Sequence, residues 1–163
     1  MFTVVDQDIF TSPSDQYLCH QCNCVTQRAA HMAKSVFGRY PYADIYTGRE
    51  EHDEPGTIIV VGGDYSDEGQ GERVIVNMLG QYYPGSPRFL TSPKDGYDAR
   101  VEYFRSCLWE MTELLDTSKT FAFPWTIGCG AAGGDWGRYI TMLKGFEEYI
   151  PGDVIIYKLP RRK

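Results

Sequence analysis

The stretch FPWTIGCGAAGGDW, from Phe123 to Trp136, sets Gly128, Gly130, Gly133 and Gly134 between a strand-like run and a run at helical spacing. Strand, glycine-rich turn, helix is a layout that presents bare backbone N–H groups at the positive end of a helix, where phosphate is attracted. Glycine serves such a turn because a Cβ would block close approach and because positive φ is open to it. The plainer reading of the same residues is a tight turn with close strand–helix packing. Asp135 closes the turn. It reads as the N-cap of the next helix, or as a carboxylate beside bound phosphates that holds a water or a hydroxyl.

A second chemical stretch is His20-Gln21-Cys22-Asn23-Cys24, at the end of an apolar run. Histidine is the side chain suited to acid–base work near neutral pH, and asparagine can orient a hydroxyl or a water. Without chemistry, His20 reads as a satisfied half-buried residue and Asn23 as a helix cap. Cys19, Cys22 and Cys24, with His20 and His31 nearby, also invite a zinc or iron–sulfur site. Cys19 and Cys22 have odd separation, however, so on one strand they point to opposite faces. Cys107 and Cys129 stand alone, and no second C-x-x-C completes a set. Buried free thiols are the stronger reading, and no metal is expected. Asp8, just past the first strand, can accept a hydrogen bond from an exocyclic amine of a base, or serve as a turn residue.

These residues need elements to hold them. Phe2 to Val5 reads as a first strand, ended by Asp6-Gln7-Asp8, with a turn over Thr11 to Asp15. Tyr17 to Cys22 reads as a second strand. Ala29, Ala30, Ala33, Val36 and Phe37 form a helical stripe that stops at Gly38. Arg49 to Gly56 reads as an exposed acidic loop, Thr57 to Val61 as a β-branched strand, and Asp64 to Gly71 as another loop. Val74 to Leu79 is apolar on both faces except at Asn77, as in a central strand. Tyr82 to Asp98 is a long irregular stretch, expected to be functional or to lie near a ligand, with no role legible in its residues. Val101, Phe104, Leu108, Met111 and Leu115 predict an amphipathic helix capped by Asp98. Thr120 to Phe123 is a strand that Pro124 and Trp125 interrupt. Trp136, Tyr139, Ile140, Leu143 and Phe146 predict a helix from Asp135, and Val154 to Leu159 a last strand. Strands alternating with helices predict a three-layer α/β/α domain around a mixed, mostly parallel sheet. Ligands of such folds bind where loops leave the carboxyl ends of strands, here after Cys22 and after Trp125.

The chain has 163 residues, 42% of them hydrophobic, which suits one domain with an ordinary core. The first ten residues lack a basic n-region and carry two acids, so they do not read as a signal peptide. With five cysteines, an odd number, the expected setting is a reducing compartment, cytoplasmic or nucleocytoplasmic. The formal net charge of −6 argues against extended nucleic acid as a partner, and no apolar run is long enough to imply a membrane. Arg161-Arg162-Lys163 is the basic cluster and reads as a solvated tail. Any phosphate ligand must therefore be held mainly by backbone dipoles. A monomer without a cofactor is expected.

On these residues the chain resembles the macro domain, the ADP-ribose-binding module. Val4 to Phe10 (VVDQDIF) is similar to a first-strand motif ending Gly-Asp-Ile, with Gln7 in place of the glycine. Leu18 to Cys24 (LCHQCNC) is similar to the His-x-x-Asn-Cys segment of the branch that includes ADP-ribose 1″-phosphate phosphatases. Phe123 to Trp136 resembles that branch's phosphate loop, and the order of the other elements fits over nearly the whole chain, residues 1–163. The resemblance implies that Asp8 and Ile9 contact adenine, with Tyr157 as a stacking residue. It implies that Asn23 contacts the distal ribose, and that Gly128, Cys129, Gly130, Ala131 and Ala132 wrap the pyrophosphate with their N–H groups. His20 and Asp135 become the acid–base pair of a hydrolase, with Asn23 orienting the ribose. The implied reaction removes a group from the distal ribose: a 1″-phosphate, an acyl ester or an ADP-ribosyl link to protein. The alternative is a reader module that binds without turnover. One departure stands out. The segment from Val25 to Ala33 lacks the family's glycines, and His31 falls where a glycine lets the backbone approach the distal ribose.

Overall fold

A computed structural model describes residues 1–65, 73–87 and 92–160. The strands are β1 (Phe2–Val5), β2 (Tyr17–Asn23), β3 (Ile58–Val61), β4 (Ile75–Gln81), β5 (Phe121–Pro124) and β6 (Val154–Tyr157). The helices are α1 (His31–Arg39), α2 (Tyr97–Leu114) and α3 (Trp136–Tyr149), with short 3-10 turns between. The basic cluster at 161–163 lies outside the described residues, as do 66–71 of one expected loop and 88–91 of the other.

The strands form one sheet in the order β1-β6-β5-β2-β4-β3. All neighbours are parallel except β3, which runs antiparallel to β4 at the edge. Burial follows from the period of two. Tyr17, Cys19, Phe121, Phe123, Val154 and Ile156 face α2 and α3. Leu18, Cys22, Ile75, Leu79 and Ala122 face α1. Both faces are covered, which is why Val74 to Leu79 is apolar on both faces except at Asn77. The three layers and the mixed, mostly parallel sheet are those expected.

Of the boundaries that differ from the sequence reading, three have a clear local reason. Ala30 is extended (φ −138°, ψ 162°), so α1 starts at His31 and Ala29 and Ala30 belong to the incoming loop. Gly96, not Asp98, is the N-cap of α2; Asp98 sits in the first turn and pairs with Arg138 at 3.2 Å. Pro124 closes β5 instead of interrupting it, since a proline at a strand's last position removes no needed donor. Arg49, expected in an exposed loop, turns inward to Asn23 O (3.2 Å) and Asp53 (3.2 Å) over the Tyr46 ring.

Candidate functional site

A cavity of about 340 Å³ opens at the carboxyl ends of β5, β2 and β4. Gln21 and Asn23 from the end of β2 form its floor, with Gln81 from the end of β4. One wall is the start of α1, from Ala30 to Ala33. The opposite wall is the loop after β5, from Trp125 to Ala132, and Pro84 and Gly85 complete the β4 side.

Two sources of free N–H groups face each other here. The N-terminus of α1 has no side-chain cap, and the N–H groups of Met32 and Ala33 meet no acceptor among the described residues. In the β5 loop, Gly128, Gly130, Ala131 and Ala132 likewise donate to no described residue. Unsatisfied N–H groups at a helix start and in a glycine turn carry partial positive charge and attract anions. Cys129 differs from that expectation. Its N–H is spent on Thr126 O (2.8 Å), and its half-buried thiol is pushed up to about 12 by burial.

The loop's shape is set by close packing. Gly128 has φ +75°, and a Cβ there would sit 2.5 Å from Tyr139 Cε2 and 2.9 Å from Gln21 Oε1. Gly130 has open space around its Cα. His31 has φ +53°, the left-handed region that glycine favours. The backbone therefore keeps a glycine-like path there although the residue is histidine, and its exposed side chain borders the cavity.

The floor is a fixed amide relay. Tyr83 O and Gly85 O can only accept, so Gln81 directs Nε2 at them (2.8 and 3.4 Å). Gln81 Oε1 then accepts from Gln21 Nε2 at 2.7 Å. Gln21 Oε1 is left wedged against the loop with no partner. Asn23 lines the cavity, but its Oδ1 takes Val25 N, Thr26 N and Thr26 Oγ1 at 2.9–3.1 Å and its Nδ2 donates to Tyr46 OH at 3.2 Å. It shapes the loop that leads into α1.

Other expected site residues lie elsewhere. His20 is wholly buried on the α1 side of β2, with Nε2 2.6 Å from Asn77 Oδ1 and its ring against Phe37. Asn77 Nδ2 donates to Ala43 O at 3.3 Å, which turns Oδ1 toward the ring and makes Nε2 the protonated nitrogen. Burial lowers the His20 pKa to about 4. It does not line the cavity: it sits further down β2, packed between Asn77 and Phe37 in the core beneath α1. Asp135 caps α3 through Gly137 N (2.9 Å) and faces a small hollow with Arg138 and Tyr139, on the far side of the loop. It is exposed, but it does not line the cavity. Asp8 caps the turn Ile9–Thr11 through Phe10 N (3.0 Å), Ile9 is buried in the core, and Tyr157 is buried with its hydroxyl on Gln16 (2.8 Å). None of these three lines the cavity. Cys19 faces α2 and α3 whereas Cys22 and Cys24 face α1, so the three thiols do not converge.

No protein-family model matches the sequence, and no curated protein matches it. Solved structures do. The macrodomain of Mycobacterium tuberculosis DarG superposes with a TM-score of 0.68 at 21% identity, over 99% of both chains. That of Thermus aquaticus DarG gives 0.68 at 18%, over 96% of this chain and 97% of the other. The fold is that of the macrodomain. A protein of unknown function from Bacteroides thetaiotaomicron is equally similar, with a TM-score of 0.68, 19% identity and 98% coverage of each chain. At such identities the likeness concerns the macrodomain fold, and the side chains of the cavity are this chain's own.

Sequence reasoning placed Asn23, His31, Gly128, Gly130, Ala131 and Ala132 at one site, and the structure brings these six together. It missed Gln21, Arg28, Tyr46, Gln81 and Trp125. A signal for the two glutamines was available: both stand near the carboxyl ends of their strands, where ligands of such folds bind.

Proposed function

We propose that this macrodomain binds ADP-ribose or a derivative of it across the ends of β5, β2 and β4. The observation that carries the reading is the pair of opposed N–H clusters, at the start of α1 and in residues 128–132. Together they supply the several donors that a diphosphate needs, and no carboxylate is among the described residues that line the cavity. Trp125 at the β5 end offers a ring for a base. The β4 end, with Gln81, Pro84 and Gly85, is left for the distal ribose.

Hydrolysis at the distal ribose is a second reading, and one observation favours it. His31, of a type suited to acid–base work, stands on the cavity rim where His20 and Asp135 do not. In that form of the reading His31 would carry or direct the proton, and His20 and Asp135 would serve the fold. Without turnover, the domain is a reader of ADP-ribosylated protein or free ADP-ribose.

Calorimetric titration with ADP-ribose, with AMP as control, tests the binding. ADP-ribose should bind at least about tenfold tighter than AMP, which lacks the diphosphate. Equal affinities would sink the reading. Phosphate release from ADP-ribose 1″-phosphate by wild type and by His31→Ala then separates hydrolase from reader. Turnover lost in His31→Ala supports catalysis through that residue, and binding without turnover supports the reader.

A further inference from the structure

The loops after β4 and β5 cannot pair with each other through the sheet, because β2 lies between their strands. Side chains join them, Arg100 foremost. Arg100, on α2, is 2% exposed in a chain of net charge −6. All five of its N–H donors are used. Nε and Nη2 grip Asp95 Oδ1 and Oδ2 at 3.0 and 2.6 Å. Nη2 also reaches Tyr83 O (3.1 Å), and Nη1 bridges Gly85 O (2.6 Å) and Ala132 O (3.1 Å). Only the rigid guanidinium fork has five donors, and a lysine has three. Asp95 Oδ1 accepts Tyr82 N as well (2.8 Å), so the carboxylate is tied to the same loop.

A second tie runs alongside. Ser86 Oγ donates to Ala131 O at 3.1 Å. The Ser86 turn comes so near that a Cβ on Gly133 would lie 2.7 Å from Ser86 Oγ. In a trans peptide the C=O and the following N–H point opposite ways. Holding Ala131 O on Ser86 therefore turns the Ala132 N–H away from that turn, and the N–H is left free.

We propose that Arg100, with Asp95, is a positioning residue that makes the Tyr83–Gly85 turn and the Ala131–Ala132 turn one wall of the cavity. The wall fixes the space available beyond the diphosphate, and so selects for a ligand that carries a distal ribose. This rests on the ADP-ribose reading above. It gives the irregular stretch after β4 a role: its carbonyls are the anchor points of the brace.

Arg100→Lys keeps a cation beside Asp95 and loses the fork. With ADP-ribose and ADP titrated into wild type and variant, ADP-ribose affinity should fall about tenfold and ADP affinity less than about threefold. An equal loss for both nucleotides, or none for either, overturns the proposal. Where Arg100→Lys does not fold, Ser86→Ala on its exposed turn should move the same ratio by about threefold. An unchanged ratio in folded Ser86→Ala also overturns it. Wild type that binds neither nucleotide would refute the ADP-ribose reading itself. Hydrogen exchange on the free protein then still decides the brace. The Gly133 and Gly134 amides, bonded to Gly130 O and Gly128 O, should exchange faster in Arg100→Lys while β4 and β5 stay protected. No change there would show that Arg100 does not hold the loop.

Discussion

His20 and His31 lie on opposite sides of the division between fold and site, and each makes a prediction of its own. His20 is neutral in the core, with burial holding its pKa near about 4 against an ordinary 6.5. Between those values the unfolded chain binds a proton that the folded chain does not. Stability contributed through His20 is therefore intact above about pH 6.5 and falls as pH drops toward 4, at ~1.4 kcal/mol per pH unit. His20→Gln keeps a donor for Asn77 and removes the titration. Denaturant melts at pH 7 and pH 5 should show a shallower loss for the variant, and equal losses would mean that the ring is not held neutral. His31 pays a backbone cost at φ +53° that any L side chain shares. His31→Gly should accordingly be more stable than His31→Ala by about 1 kcal/mol, from thermal melts. The reverse order would show that the position is an ordinary helical one. The family pattern gave the glycine-like position of His31, since backbone path is what a glycine motif records. It could not give the burial of His20. That burial comes from tertiary packing, the Phe37 ring of α1 and the Asn77 amide of β4, which no local pattern encodes.

Among the elements, the β5 loop separates two uses of glycine that a motif cannot tell apart. Gly128 is required by packing: a methyl would collide with Tyr139 and Gln21, and φ is +75°. Gly128→Ala should cost roughly 2–4 kcal/mol, measured by denaturation, from overpacking and backbone strain together. Gly130 is free of such neighbours, with no atom within 4 Å of a built Cβ. Gly130→Ala should leave stability within about 0.5 kcal/mol. If diphosphate approaches that backbone, it should nonetheless weaken ADP-ribose binding by about tenfold. Unchanged binding in Gly130→Ala would remove that residue from the contact surface. The strands and helices were legible because period-two and period-3.6 patterns report burial directly. Asp135 as a cap was equally legible, and the structure shows that role filled. The braces were not legible. Gln21 and Gln81 are 60 residues apart, Arg100 and Ala132 are 32 apart, and only the strand order brings Ala132 beside Gly85.

For the molecule as a whole, net charge and site chemistry oppose each other. A chain of −6 repels an anionic ligand at long range, yet its cavity is lined by N–H dipoles that act within a few ångströms. Salt screens the first, with a Debye length of about 8 Å at physiological strength, and leaves the second nearly untouched. Neutral dipoles also release no counterions, unlike the lysine and arginine surfaces of nucleic-acid binders. ADP-ribose affinity should therefore hold steady or rise up to about threefold as salt is raised, followed by calorimetry at low and high sodium chloride. Among the described lining residues the cation is Arg28, exposed at the rim. Its pairing with a phosphate is worth little in water, about 0.5 kcal/mol, so Arg28→Ala should change affinity by less than about threefold. A tenfold loss on raising salt, matched by a similar loss in Arg28→Ala, would move the work of binding from the backbone to that one side chain. The glycine loop would then be a matter of packing alone.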